Sequence, residues 1–194
     1  MIGVDEVGRG CLAGPVVAAA VILPSTMPKD DARQIIRDSK TLSASQRLQA
    51  DAYLRSCAIT FAIASASAQE VDQLNIHHAS LLAMRRAVTA LSLPAEASCH
   101  LLVDGKFTIP NLIDHPTLTS ATQQPVIHGD AKILSIAAAS ILAKVYRDNL
   151  LTSLSLEYPA YGFSSHKGYG TAAHFAAIHA HGLTPHHRVT FCSS

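Results

Sequence analysis

Gly3-Val4-Asp5-Glu6-Val7-Gly8-Arg9-Gly10 decides the reading of this chain, because it runs an apolar strand with two adjacent carboxylates into a glycine turn. Residues 1–6 read as a strand that enters the turn Gly8-Arg9-Gly10. Pro15 to Leu23 (PVVAAAVIL) follows as an unbroken apolar run of strand length, stopped by Pro24. The two runs are predicted to pair antiparallel, with Gly8, Gly10 and Gly14 in the connection. Because side chains alternate along a strand, Asp5 and Glu6 point to opposite faces. For both to line one pocket the strand must bend or bulge there, which the neighbouring glycines permit.

Outward from this pair, strands and helices alternate as in an α/β domain. Residues 24–42 read as a loop. Ser43 and Gln46 make a capping-box pattern that opens a helix to about Ser56. Ala58 to Ser65 alternates as a strand, with Ile59, Phe61 and Ile63 on one face. Glu70 to Leu91 reads as a helix broken near Leu74-Asn75, with Leu81, Met84, Val88 and Leu91 on one face. Cys99 to Asp104 and Pro125 to Ile127 are predicted strands. From Ala131 a long helix runs to about Leu156, and its section Ile136 to Ala143 is apolar nearly all round, so it is buried on more than one side. A further helix spans about Thr171 to His181, and the last dozen residues read as polar and irregular. No repeat, low-complexity tract or linker divides residues 1–194, which form one domain with a helical C-terminal part at about 150–194.

The chain of 194 residues is 48% hydrophobic and 15% charged, a folding composition with material for one core. Only 5% is aromatic and Trp is absent, so Ala, Leu, Ile and Val must build that core. A formal net charge of +1 gives no global signal for a polyanion partner, so any such site is a local patch. Cys11, Cys57, Cys99 and Cys192 show no Cys-x-x-Cys spacing and read as reduced thiols of a cytoplasmic protein. Asp5, Glu6 and Arg9 interrupt any signal-peptide core, and Val16 to Leu23 falls short of the roughly 20 residues that span a bilayer.

Asp5, Glu6, Asp104 and Asp130 share one local signature: each lies at or just past the end of an apolar strand-like segment, close to glycine. Carboxylates gathered at strand ends make an oxygen-rich pocket of the kind that suits Mg²⁺ or Mn²⁺. Such a pocket supports phosphodiester hydrolysis by in-line displacement. The ordinary alternative for any one Asp beside Gly is a turn residue. Asp148, on the long helix after Lys144, reads as a local ion pair. Asp38 reads as a turn residue. The eleven histidines show neither His-Glu-x-x-His nor finger spacing, and no Gly-x-Ser-x-Gly is present, so zinc and nucleophilic-serine chemistry are unsupported.

At these residues the sequence resembles the ribonuclease HII (type 2 ribonuclease H) family. The resemblance runs through GVDEVGRG at 3–10, LAGPVV at 12–17, DSK at 38–40, and LN-I-HHASLLAMRRAV at 74–88. It continues through LLVDG at 101–105, GDAKILSIAAASILAKVYRD at 129–148, YGFSSHKGYGT at 161–171 and HGLTPHHR at 181–188. It implies a ribonuclease H-like α/β fold, a mixed sheet flanked by helices, whose helical C-terminal part helps grip a duplex. It implies that Asp5, Glu6, Asp104 and Asp130 bind Mg²⁺ or Mn²⁺, and that Gly8, Arg9 and Gly10 read the ribose 2′-hydroxyl largely through backbone groups. Tyr169 is similar to the family's tyrosine that packs on the deoxyribose beside the ribonucleotide. Lys40, Lys144, Lys167 and Arg188 resemble phosphate contacts.

The implied activity is endonucleolytic cleavage 5′ of a ribonucleotide in RNA/DNA hybrids or in duplex DNA, by a monomer without membrane attachment. Lys106 stands where the family more often has Asn, and Cys11 where it often has Pro. The start of the chain leaves no room for the extra N-terminal domain of the sister family ribonuclease HIII, and its end carries no motif for a replication clamp. Two other readings remain open at this point: a hybrid-binding module without activity, and a different metal-dependent phosphotransferase that cuts all-DNA substrates.

Overall fold

Among the described residues, five strands form one sheet with helices packed on both faces. The computed structural model describes residues 1–27, 36, 42–94, 98–112 and 115–192. The strands are β1 (Ile2–Val7), β2 (Val16–Ile22), β3 (Thr60–Ala66), β4 (His100–Asp104) and β5 (Thr122–Val126). Their order is β3-β2-β1-β4-β5. β2 runs antiparallel to β1 and to β3, while β4 lies parallel to β1 and β5 parallel to β4. The mixed, helix-flanked sheet read from the sequence is therefore present, with β5 starting earlier than expected, at Thr122.

The helices begin where local chemistry starts them. In α1 (Ala44–Cys57), the Ser43 hydroxyl accepts from the Gln46 N–H, and the Gln46 side chain accepts from the Ser43 N–H. Ser67 and Glu70 build the same box ahead of α2 (Ala68–Thr89), so this helix starts before Glu70. α2 breaks at Asn75, at φ 65 and ψ 165, where a break was expected. The Asn75 Oδ1 accepts the backbone N–H groups of His77 and His78, which restarts the helix.

The expected single helix from Ala131 is two elements. α3 (Gly129–Lys132) is one turn, and α4 (Leu134–Glu157) follows after Ile133 adopts an extended backbone. The cause lies at the head of α3, where the Gly129 N–H donates to Asp104 Oδ1 at 2.7 Å and fixes the turn against β4. Beyond α4 come a 3₁₀ turn (Pro159–Tyr161), α5 (Phe163–His166), α6 (Ala172–His181, capped by Thr171) and α7 (Val189–Cys192).

Alternation along β2 divides the core. Val16, Ala18 and Ala20 join Val4, Leu101 and Val103 against α2, whereas Val17, Ala19 and Val21 meet α1 and the apolar section of α4. Truncating a side chain as buried as Leu101 or Ile141 costs about 2–5 kcal/mol, so the frame around β1 is stiff. A third cluster of Ala13, Leu151, Tyr161, Phe163 and Ala177 joins the C-terminal part to the loop after β1. Of the last dozen residues, those described are only partly irregular, since His187 forms a bridge and Val189–Cys192 a helical turn. Ala13 bridges His187, the Gly14 N–H donates to the His186 carbonyl at 2.8 Å, and the Arg188 N–H donates to the Leu12 carbonyl at 2.7 Å. Among the described residues no helix is long and apolar enough to cross a membrane.

Candidate active site

The parallel register Val4↔Val103 carries one step further to Asp5 and Asp104, at the carboxyl ends of the two central strands. Asp5 is almost fully buried. Its Oδ1 accepts the Glu6 N–H at 2.7 Å, and Ser140 of α4 hydrogen-bonds its side chain. Burial, then the charges of Glu6 and Asp104, push the Asp5 carboxyl well above the usual carboxylate range. Burial also raises Glu6, against an opposing pull from Arg9, whose Nη1 lies 3.0 Å from Glu6 Oε1. Asp130 is buried on the first turn of α3, next to the Gly129 whose N–H holds Asp104.

No bulge brings Asp5 and Glu6 together. The pairing with β2 runs unbroken from Gly3↔Val21 to Val7↔Val17, so the bend expected from sequence is not there. Asp5 faces Ser140 on α4, while Glu6 lines a cavity of about 200 Å³ on the α2 side with His77, Ser80, Met84, Asp104 and Phe107. The strand stays regular because both faces of β2 are packed. The two carboxyls approach Asp104 from opposite faces at the end of the sheet.

The chemistry of these donors fits a hard divalent cation. All are carboxylate oxygens, they crowd like charge at one sheet end, and Glu6 Oε2 is buried with no hydrogen-bond partner among the described residues. Also among the described residues, no three His, Cys, Asp or Glu side chains stand close enough to share one ion as placed. Asp5 and Glu6 both feel the Asp104 charge, and Asp130 sits on the turn whose Gly129 N–H donates to Asp104. Burying Asp5 as an anion carries a cost in the metal-free protein, because the unfolded chain keeps the lower, ordinary pKa and ionises more readily. Stability is therefore lost as pH rises through the raised folded pKa. Asp5→Asn is expected to raise the Tm of the chelated protein at neutral pH by roughly 2–4 °C, the shift about 1 kcal/mol gives in a domain of this size. That gain should shrink in acid, as calorimetry at two pH values would show.

Beside the acids, Gly8-Arg9-Gly10 is held by two arginines that carry no exposed surface, Arg147 and Arg188. Arg188 donates to the carbonyls of Gly8 (2.7 Å), Arg9 (2.8 Å) and Gly14 (2.9 and 3.1 Å). Arg147 donates to Ala13, Pro15 and Lys167. The expectation that Arg188 touches phosphate is thus corrected: it is buried, and its guanidinium holds the turn from behind. Arg147 was missed in the sequence, although it falls on the buried stripe of α4 with Ser140, Ala143 and Leu151. Gly8 sits at φ +89, and a Cβ there would stand 2.2 Å from Arg147 Nε. Gly8→Ala is expected to displace the buried Arg147 side chain and disrupt the turn, lowering cleavage at least tenfold and Tm by several degrees, as kinetics beside thermal melts would report.

The turn is zipped to the segment that carries Tyr169. The Leu12 N–H donates to the Gly168 carbonyl at 2.8 Å, and Cys11 bridges Tyr169. Gly168 has φ +84 and lies against the Ala13 carbonyl, so no larger residue fits. Tyr169 is 43% exposed, with the Lys144 Nζ 5.9 Å from its ring centroid. Lys144 also pairs with Asp148 at 2.7 Å, the ion pair read from sequence. The Lys167 Nζ reaches the Thr152 hydroxyl at 2.6 Å. Arg9 and Gly10 are exposed beside these groups. Lys40 lies outside the described residues.

Oxygen donors at the ends of the central strands, beside a turn that presents backbone, define an α/β domain suited to metal-assisted chemistry on phosphodiesters. The comparisons narrow the class. The profile of the family described as Ribonuclease HII matches residues 2–194. A ribonuclease HII from Parabacteroides distasonis is 48% identical over 97% of this chain and 88% of its own length. The ribonuclease H2 structure from Pyrococcus horikoshii superposes with a TM-score of 0.77 at 24% identity, covering 99% of this chain and 94% of that one. A Bst-RNase HIII structure in complex with Mn²⁺ gives 0.67 at 18% identity, covering 99% of this chain and 67% of that one. The chain belongs to the ribonuclease HII family of metal-dependent endoribonucleases, which act on RNA/DNA hybrids.

Proposed function

We propose that Asp5, Glu6, Asp104 and Asp130 hold the divalent metal, Mg²⁺ or Mn²⁺, and that cleavage falls on the phosphodiester 5′ of a ribonucleotide, leaving 3′-hydroxyl and 5′-phosphate ends. The observation that carries the assignment is the buried Glu6 Oε2 without a hydrogen-bond partner among the described residues, beside an Asp5 whose carboxyl is pushed up by burial and then by the charges of Glu6 and Asp104. A bound cation relieves both. When bound, such ions activate water and stabilise the departing oxygen. One solved neighbour, a Bst-RNase HIII, is in complex with Mn²⁺.

The protein's own groups do the reading. Gly8, Arg9 and Gly10 present backbone to the ribose 2′-hydroxyl, because three of their loop's carbonyls are turned back onto Arg188. Tyr169 lies against the neighbouring deoxyribose. Lys144 and Lys167 beside it, with Lys40, meet phosphates and fix the duplex's register. Arg188 serves the turn and not the substrate. The chain works as a monomer in the cytoplasm, on hybrids and on DNA duplexes that carry misincorporated ribonucleotides or primer RNA. The test is a DNA duplex with one ribonucleotide, incubated with Mg²⁺, with Mn²⁺ and with chelator. Nicking at the ribonucleotide in the metal arms alone supports the reading. Nicking in chelator would remove the metal assignment.

A further inference from the structure

Beneath Tyr169 lies a cluster of histidines that the site described above does not use. His174 and His187 are 0% and 2% exposed, and their Nε2 atoms are 3.0 Å apart. The Nδ1 of His174 is 2.9 Å from the Tyr169 carbonyl, which can only accept, so this Nδ1 carries a proton. In a neutral ring its Nε2 is then a lone pair. At the other end, the Thr184 N–H donates to His187 Nδ1 at 2.9 Å, so the His187 proton sits on Nε2. One arrangement satisfies every partner: Thr184 N–H to His187, His187 to His174, His174 to the Tyr169 carbonyl.

The neighbours reinforce it. His166 of α5 stacks on His174 with centroids 4.3 Å apart. Its Nε2 lies 2.7 Å from the Tyr161 carbonyl, and its Nδ1 accepts the Gly168 N–H at 3.1 Å. Successive backbone groups, Gly168 N–H and Tyr169 C=O, are thus both held by imidazoles. Among the described residues, the other titratable groups facing the pair are Tyr161 in the 3₁₀ turn and His186 in the C-terminal segment. None of these is an acid that would favour a charged ring. Burial first, then His174, holds His187 down at about 4, and burial lowers His174. Protonating His174 would set two donors face to face at the 3.0 Å contact, and protonating His187 would set an Nδ1 proton against the Thr184 N–H.

We propose that His174 and His187 are positioning residues for Tyr169, a neutral relay of fixed tautomers that anchors the Tyr169 carbonyl and thereby sets discrimination for an RNA–DNA junction. The inference rests on the reading of Tyr169 given above. Its test measures kcat and KM on a duplex with one ribonucleotide and on an uninterrupted RNA/DNA hybrid. The variants are His174→Leu, His174→Asn, Tyr169→Ala and the double variant Tyr169→Ala with His174→Leu.

His174→Leu is expected to raise KM on the single-ribonucleotide duplex about tenfold while kcat stays within about twofold, and to erode preference for that substrate equally. His174→Asn, whose amide can still donate to the Tyr169 carbonyl, restores most of it. In the Tyr169→Ala background His174→Leu adds nothing, since coupled residues are not additive. Nitrogen NMR of the wild-type protein should find His174 protonated at Nδ1 and His187 at Nε2, with His187 titrating at about 4 and His174 below the ordinary imidazole range. Other tautomers, or unchanged preference in His174→Leu when Tyr169→Ala alters it, would overturn the relay. Unchanged preference in Tyr169→Ala would overturn the reading of Tyr169 and the relay with it. If His174→Leu does not fold, His174→Asn and the NMR tautomers decide.

Discussion

Asp104→Asn is expected to lower kcat on a ribonucleotide-containing duplex by about a thousandfold or more. The amide oxygen can still accept the Gly129 N–H that ties β4 to α3, so the scaffold should survive. What disappears is a full negative charge at the end of the central strands, where Asp5 and Glu6 each register its field. Because that charge acts through metal-organised stabilisation of the transition state, kcat and kcat/KM should fall together. Steady-state kinetics with a thermal melt would check both halves. Near-normal turnover would remove Asp104 from the site.

The second large effect is structural. In Arg188→Lys, one flexible ammonium replaces a planar fork that serves the carbonyls of Gly8, Arg9 and Gly14. Burial pulls the Arg188 pKa down to about 10, so the group is charged at neutral pH and its hydrogen bonds are charge-assisted. Lysine can satisfy part of this set, and each buried carbonyl left unpaired costs about 1–3 kcal/mol. A net destabilisation of about 3 kcal/mol is expected, a fall in Tm of roughly 6–12 °C. Cleavage should fall at temperatures where the protein is still folded, because the Gly8-Arg9-Gly10 turn loses its rear support. Full activity at unchanged Tm would show that the turn holds itself.

Much of the fold was legible because hydrophobic period and capping chemistry are local. The antiparallel β1–β2 pair, the Ser43 box and the break at Asn75 all follow from residues within a few positions of one another. The split between α3 and α4 was not legible. It depends on Gly129 meeting Asp104 across the sheet, a contact between residues far apart in the chain. The candidate acids could be picked out by their place at strand ends. Their arrangement could not: a bulge was expected where β1 is regular, because the sequence does not reveal that Asp104 can be reached from both faces. Arg188 was misassigned for a related reason. A basic residue near the end of a chain reads as surface charge, and only the folded structure shows three loop carbonyls closing around it.

Backbone at Gly8-Arg9-Gly10 is proposed to read a 2′-hydroxyl beside carboxylates that organise metal. The most direct test maps, at single-nucleotide resolution, the nicks made in Mg²⁺ in two duplexes that differ only in one 2′-hydroxyl. The expected result is one nick, immediately 5′ of the ribonucleotide and ending in a 3′-hydroxyl, and an intact all-DNA counterpart. Comparable cutting of the all-DNA duplex would contradict it.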